Sequence, residues 1–370
     1  MIMTLTYKTS RPAVKNIFAL YLGLRSLNNE KANNYASFLY DSFIRDNLND
    51  CSQLEITKFL HGRKMLSCWS MADSDTRKRF PETELLYRAM TVITNVRIEK
   101  LIPVFTALKE NEIDVMPYKG IDFIYNYPNA SGTRFISDVD PLIKRSQLLK
   151  ADAVIKALGF RQGDIDRNTA LNQHELHITE IPKNELEWVI NNHHETHPYV
   201  AFTRVNELKS YKTILEKYTK IYDSGEPILI TYIDLHQSIA AGFDEDDIWA
   251  GTVISKIEEV EYIGLSPEVY LCLLFGRAYS VTQIYNDPTI CAYVDGMRIL
   301  VSKKINWEKL FSLSCKYNFH APFYYCLSHA NKMLGEDFVP TSQINIYRES
   351  LLSRREYDLG DFYPKLLGYI

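Results

Sequence analysis

Two aspartates separated by one residue, Asp138 and Asp140, lie in the segment RFISDVDPLI. If the segment is a strand, its period of two places both carboxylates on one face. Carboxylates this close disfavour joint ionisation unless a cation lies between them, and oxygen ligands of this kind suit Mg²⁺. The pair therefore predicts a divalent metal site, and two solvated aspartates at a strand end are the alternative.

A lysine and a glycine, Lys119 and Gly120, precede the short apolar stretch IDFIYNY. Where a strand meets a helix, free backbone N–H groups favour a phosphate, and a glycine allows close approach. Lys119 would add a point charge for a triphosphate. The alternative is an ordinary turn glycine beside a solvated lysine.

A third carboxylate, Asp234, follows the apolar run ILITYI, and His236 comes two residues later. Strand alternation places both side chains on one face. If this strand pairs next to the strand of Asp138 and Asp140, Asp234 becomes a third metal ligand. A helix cap or turn is the alternative role for Asp234, and a structural histidine is the alternative for His236.

Two histidine tetrads, HELH at 174–177 and HETH at 194–197, are one residue too short for the H-E-x-x-H pattern of a zinc protease. Three interpretations remain open: structural or solvated histidines, a zinc site, and recognition of an acceptor substrate. His174, His177 and His236 are the candidate acceptor-side residues.

Hydrophobic periodicity divides the chain into three expected regions: helical over 1–110, α/β over 111–240 and helical over 241–370. In the middle region, IDVMPY predicts a strand and GIDFIYNY a short helix stopped by Pro128. The segment SQLLKADAVIKALGF predicts a helix capped by Ser146 and ended by Gly159. The segment ELHITEIPKNELEWVI predicts a hairpin, and EPILITYIDLHQS predicts a strand. The expected fold class is α/β (α+β), with a small sheet flanked by helical regions.

The overall charge and apolar content restrict the partners and the location. A formal net charge of −4 leaves no excess of Lys and Arg for a long nucleic acid. None of the six cysteines forms a C-x-x-C pair, and no signal peptide or membrane-spanning apolar run is present in this sequence. We therefore expect a soluble cytoplasmic protein without a membrane partner.

The chain resembles the uncharacterised nucleotidyltransferase family of the DNA polymerase β-like superfamily. The resemblance depends on five features in order: Lys119-Gly120, Arg134, Asp138-Val139-Asp140, Leu158-Gly159-Phe160 and Asp234-Leu235-His236. Helical flanks that include Asp295 and the segment NWEKLFSLS extend it over about residues 50–335. Two positions depart from the usual pattern: Ile121 follows Gly120 where the superfamily has serine, and Pro141 follows the aspartates where the family has leucine.

The resemblance implies a polymerase β-like core that transfers a nucleoside monophosphate from an NTP to an acceptor and releases pyrophosphate. Asp138, Asp140 and Asp234 would bind two Mg²⁺ ions, with Mn²⁺ as the alternative, while Lys119, Gly120 and Arg134 would bind the nucleotide. ATP is the default NTP, and the acceptor is a hydroxyl or similar group on a small molecule, a peptide or a protein. A non-catalytic nucleotide-binding or interaction protein and an RNA-modifying nucleotidyltransferase are the alternatives.

Overall fold

A computed structural model describes residues 11–127, 134–165, 178–219, 222–223, 227–240, 242–335, 338–353 and 362–369. The chain forms two compact units. Unit 1 combines Met1–Thr83 with Pro267–Ile370, and unit 2 consists of Glu84–Ser266. The region boundaries expected from periodicity, at about residues 110 and 240, stay a prediction. In the described ranges, no helix has both the length and the apolar character needed to cross a membrane.

Unit 1 is helical throughout the part of it that the structure describes. Its helices are α1 (Arg11–Arg25), α2 (Glu30–Leu39), α3 (Gln53–Gly62), α4 (Ser74–Arg79), α11 (Pro267–Tyr285), α12 (Ile290–Ser302), α13 (Trp307–Tyr317), α14 (His320–Leu334), α15 (Thr341–Ser353) and α16 (Phe362–Leu366). Helix α3 begins with a capping box, in which the Ser52 and Glu55 side chains each accept from the other residue's backbone N–H. Aromatic side chains such as Phe18, Trp69 and Tyr293 are fully buried and form the core of the unit.

Unit 2 contains all the strands that the structure describes. The helices are α5 (Pro81–Glu110, which begins just before the unit boundary), α6 (Gly120–Asn126), α7 (Leu148–Ala157), α8 (Lys183–Asn192), α9 (Lys212–Tyr218) and α10 (Glu245–Trp249). The strands are β1 (Val115–Met116), β2 (Leu142–Ile143), β3 (Arg161–Ile165), β4 (Ile178–Glu180), β5 (Tyr199–Arg204), β6 (Tyr222–Asp223), β7 (Pro227–Ile233), β8 (Val253–Ile257) and β9 (Val260–Gly264). The mixed α/β class expected from the sequence is confirmed.

The main sheet has five antiparallel strands in the order β4-β3-β5-β7-β6, while β1 pairs with β2 and β8 with β9. Residues 139–143 run parallel to the end of β7, through bridges of Val139 with Ile233 and of Leu142 with His236. Between these bridges lies Pro141, which has no N–H to donate. Pro141 therefore takes part in the ladder only as an acceptor, from His236 N–H at 3.0 Å. The donors on its own segment lie on either side of it, from Val139 N–H to Tyr232 O at 3.1 Å and from Ile143 N–H to His236 O at 2.8 Å.

The hydrophobic core of unit 2 lies between the end of β7 and the helices that cover it. Leu101 and Phe105 of α5 are buried in one cluster with Val139, Ile233 and Leu235. Full burial of one such side chain stabilises the fold by about 1.5–3 kcal/mol. The two segments that carry the aspartates are therefore fixed by apolar neighbours on the face opposite to the carboxylates.

Three local expectations are wrong. The segment expected as a hairpin forms β4 and then helix α8, because the period in KNELEWVINN is helical. Helix α7 begins at Leu148 after a 3₁₀ turn over Arg145–Gln147, so Ser146 is not its N-cap. Beyond residue 240 the chain is not helical throughout, since β8 and β9 form a hairpin there.

Candidate active site

Asp138, Asp140 and Asp234 converge beyond the end of β7. One carboxylate oxygen from each residue lies within 4.8 Å of those of the other two. The cause is the shared register of the two parallel bridges, which places Asp140 level with Asp234 on the neighbouring segment. Asp140 is buried, and Asp138 and Asp234 are half-buried. Three hard oxygen donors at this separation fit a divalent cation such as Mg²⁺.

Asp140 is held in its ionised form by two neighbours. Its Oδ1 atom accepts a hydrogen bond from Lys119 Nζ at 3.0 Å and lies 2.9 Å from Nε2 of His236. Burial alone would raise the pKa of Asp140, but the hydrogen bond with His236 and the charge of Lys119 outweigh it and lower the pKa. Asp140 is therefore a carboxylate at neutral pH.

Asp234 has the opposite behaviour. Burial raises its pKa to about 7, and the charges of Asp140, Asp138 and Glu195 add to the effect. Four carboxylates thus share this region with the ammonium of Lys119. The accumulated negative charge is what a bound divalent cation would neutralise.

The start of α6 carries Lys119 and Gly120. Lys119 has φ 56° and ψ −133°, a backbone conformation that residues with a side chain rarely adopt. This conformation leads its side chain to Asp140. At Gly120, an added Cβ would lie 3.8 Å from Ile136 Cγ1, which is ordinary contact. The fold itself therefore does not require glycine at this position.

Arg134 lies beside α6. Its guanidinium is 5.9 Å from the ring centre of Phe123 on α6. It also lines a cavity of about 410 Å³, together with Thr91, Thr94, Asn95, Ile98, Glu99, Ile124, Tyr125 and Phe135. A cavity of this size is in the range of small-ligand sites. Nucleotide binding by Arg134 stays a prediction.

His236 is buried beside the aspartates, at 2% exposure. Its Nε2 atom lies between Oδ1 of Asp140 at 2.9 Å and Oε2 of Glu195 at 3.3 Å. His236 is thus in contact with two carboxylates. Its role in binding an acceptor stays a prediction. His174 and His177, the other two candidate acceptor-side residues, lie outside the described residues.

Two residues near the site were not singled out from the sequence. Arg97 on α5 donates to the carbonyls of Ile136 and Ile230, one on each segment that leads to an aspartate. Burial lowers the pKa of Arg97 to about 10, so it stays charged at neutral pH. Glu195 faces His236 through an antiparallel bridge. Arg97 lies in the largely polar helical segment TNVRIEK, so no signal in the sequence set it apart. Glu195 depends on a tertiary pairing.

An α/β unit that presents three convergent aspartates suits the metal-dependent chemistry of a transferase of phosphorus-containing groups. The family follows from the sequence comparison, which matches residues 86–335 to the family described as uncharacterised nucleotidyltransferase. This match covers more than half of the chain, and the chain belongs to that family. Neither the curated proteins nor the solved structures gave a match. The resemblance inferred from the motifs is thus confirmed at the level of the family.

Proposed function

We propose that this protein transfers a nucleoside monophosphate from an NTP to a hydroxyl or similar group on a small molecule, a peptide or a protein. The observation that carries the proposal is the convergence of Asp138, Asp140 and Asp234 within 4.8 Å. An acceptor oxygen forms a bond to the α-phosphorus. The bond between that phosphorus and the oxygen that bridges the α- and β-phosphates breaks, and pyrophosphate leaves. We take ATP as the default donor.

Asp138, Asp140 and Asp234 would hold Mg²⁺, for which Mn²⁺ is the alternative. When bound, the metal supplies Lewis-acid polarisation of the phosphate and lowers the pKa of the acceptor hydroxyl. Asp140 is kept ionised by Lys119 and His236 and is ready to bind a cation. We assign Asp234 as the acceptor of the hydroxyl proton, because it lies level with Asp140 at the same edge.

The triphosphate would lie at the start of α6. Lys119 reaches Asp140 there, and it would turn to a phosphate oxygen when the carboxylates hold a metal. Gly120 follows it, and the absence of a Cβ there leaves the backbone accessible to a phosphate. Arg134, on the cavity beside α6, supplies a second cation that can bind two phosphate oxygens at once.

The net charge of −4 favours compact acceptors over long nucleic acids. A non-catalytic nucleotide-binding protein and an RNA-modifying enzyme remain as outcomes that the experiment distinguishes.

The test is the melting temperature of the protein with Mg²⁺ and each of the four NTPs in turn. We expect one NTP to raise the melting temperature only when Mg²⁺ is present. The double variant Asp138→Asn/Asp140→Asn should lose this rise, whereas Asp114→Asn, which removes a carboxylate paired with Lys144, should keep it.

Transfer itself is then measured as pyrophosphate release with pooled small metabolites, peptides or RNA as acceptors. A rise in melting temperature without pyrophosphate release from any pool would favour the binding protein. Release with RNA alone would favour the RNA-modifying enzyme. No rise with any NTP would contradict the proposed function.

A further inference from the structure

A second group of metal-ligating side chains lies next to the three aspartates and contains nitrogen donors. It consists of His194, Glu195 and His236, and one ligand atom of each lies within 4.8 Å of the others. We call it the histidine cluster. Its members come from two segments that are distant in sequence, so the tetrad HETH by itself does not reveal it.

Backbone pairing brings the histidine cluster together. Glu195 and His236 are directly opposite in an antiparallel bridge. The flanking hydrogen bonds, from Thr196 N–H to Leu235 O at 2.8 Å and from Gln237 N–H to His194 O at 2.9 Å, make it a non-hydrogen-bonded pair. In such a pair the two side chains approach each other most closely. The imidazole rings of His194 and His236 then lie 6.0 Å apart.

The two distances from Glu195 to the imidazoles of the histidine cluster are close to those around a tetrahedral metal. Oε2 of Glu195 lies 3.3 Å from Nε2 of His236 and 3.7 Å from Nε2 of His194. Two bonds of about 2.0–2.1 Å at a tetrahedral angle place their donor atoms about 3.3–3.4 Å apart. The Glu195 oxygen would therefore need a shift of only a few tenths of an ångström relative to each imidazole, and the donor atoms of the two histidines lie within 4.8 Å of each other.

One proton on Nε2 of His236 can serve this arrangement only as a shared hydrogen bond, and an ion bound at Nε2 would replace the hydrogen bond that His236 makes with Asp140. Nε2 of His236 has one hydrogen at most, yet it faces a carboxylate oxygen of Asp140 at 2.9 Å and another of Glu195 at 3.3 Å. Nε2 of His194 faces the same Glu195 oxygen. A divalent cation satisfies several such lone pairs together.

We propose that His194, Glu195 and His236 bind a borderline transition-metal ion such as Zn²⁺, separate from the Mg²⁺ of the aspartates. Two imidazoles and one carboxylate are the ligand type that such ions prefer, whereas Mg²⁺ prefers oxygen alone. Three protein ligands leave a fourth position for water or an incoming group. His194 and Glu195 are 37% and 48% exposed at the side chain, so that position can reach solvent. The proposal goes beyond nucleotidyl transfer and does not depend on it.

The test is Co²⁺ binding to untagged, chelator-treated protein in the absence of nucleotide. We expect one equivalent of Co²⁺ with the visible absorption of a four-coordinate ion, unaffected by excess Mg²⁺. His194→Ala should weaken this binding by at least about 100-fold, since even outer-shell changes cost 10–100-fold. The matched control is His193→Ala, because that neighbouring histidine is exposed and packs on Trp188 instead.

Two further variants locate the ion. Asp138→Asn should keep the Co²⁺ spectrum, and Zn²⁺ should raise the melting temperature of the wild type but not of His194→Ala. Equal loss of the spectrum in Asp138→Asn and His194→Ala would place the ion at the aspartates and overturn the proposal. Equal loss in His193→Ala, or no four-coordinate spectrum in the wild type, would also overturn it.

Discussion

Lys119 combines a strained backbone with a charged side chain. Its φ of 56° lies in the region that favours glycine, yet its ammonium forms the ion pair with Asp140 at 3.0 Å. Strain of this kind costs of order 1–3 kcal/mol and persists where the surrounding structure imposes it. A charged lysine therefore occupies a position at which the backbone conformation favours glycine.

The first prediction concerns this strain. Lys119→Gly and Lys119→Ala both remove the ion pair with Asp140, but only glycine relieves the backbone. We expect Lys119→Gly to be more stable than Lys119→Ala by about 1 kcal/mol, measured by urea unfolding. Both variants should lose most of the rise in melting temperature caused by Mg²⁺ and NTP.

Lys64, with φ 57°, is the matched control. Lys64→Gly should also be more stable than Lys64→Ala, and both should keep the full effect of the nucleotide. Equal stability of Lys119→Gly and Lys119→Ala would contradict the strain argument.

At the residue scale, the sequence predicts which side chains are close where their proximity follows from strand alternation alone. Asp138 and Asp140 are close because they are two residues apart, whichever strands surround them. Asp234 joins them only through the register of a parallel pairing, which the sequence left conditional. The contacts of Glu195 and His194 with His236 depend on another pairing and have no local signal.

At the scale of elements, helix α5 sets the spacing of the two segments that carry the aspartates. Arg97 donates to Ile136 O, two residues before Asp138, and to Ile230 O on β7. One planar guanidinium thereby connects both segments.

The second prediction follows from this double contact. Arg97→Leu should lower the free energy of unfolding by about 2–4 kcal/mol, because two carbonyls lose a charged donor. It should also weaken the stabilisation by Mg²⁺ and NTP. Arg97→Lys keeps the charge but not the planar fork, so we expect it to lie between the wild type and Arg97→Leu. Both quantities are measured by urea unfolding, with and without Mg²⁺ and NTP. Full retention of both in Arg97→Leu would show that α5 does not position the site.

Helices and strands with a regular hydrophobic period were predicted well, whereas a hairpin without such a period was not. Helix α11 and strand β7 follow their expected patterns, since their apolar residues meet a core. The hairpin of β8 and β9 was missed because Ile254 and Ile263 are exposed, so alternation does not separate a buried face from a solvated one. It is fixed by Ile257 and Tyr262, which are buried in the core of unit 2, and by polar contacts such as Ser255 Oγ donating to Asp122 at 2.8 Å.

At the scale of the whole molecule, a buried ion pair within α12 is connected by a hydrogen bond to the first chain segment of unit 1. Arg298, 1% exposed, contacts Asp295 at 2.9 Å and donates to Ser26 Oγ at 2.7 Å. Removal of one partner from such a pair leaves an uncompensated buried charge.

The third prediction is a double-mutant cycle on this pair. Asp295→Leu and Arg298→Met should each destabilise the protein by about 3–5 kcal/mol, whereas the double variant should be more stable than either single variant. Urea unfolding of the four proteins measures the coupling. Losses that simply add would show that the two side chains act independently.

The fourth prediction concerns pH. Burial lowers the pKa of His329 from 6.5 to about 3, and its ring stacks on Tyr363 with the ring centres 4.4 Å apart. The unfolded chain therefore binds a proton that the folded chain excludes, so stability falls as the pH drops below 6.5 and is unaffected by this group above it. The slope for one proton is at most about 1.4 kcal/mol per pH unit.

His329→Phe keeps an aromatic ring against Tyr363 and removes the titrating group. Its unfolding free energy, measured between pH 5 and pH 8, should therefore fall less steeply on acidification than that of the wild type. His61, whose pKa burial also lowers, acts in the same direction and is unchanged in the variant. Identical slopes in the two proteins would rule out His329 as a source of the pH dependence.

The division into units also affects the order of events during synthesis. Unit 1 is built from the first 83 residues and from residues 267 onward, whereas unit 2 is one continuous segment between them. On the ribosome, all the residues of unit 2 emerge before the second half of unit 1 does. The aspartates can therefore assemble while α1 to α4 still lack α11 to α16, and the early helices must avoid aggregation until those partners appear.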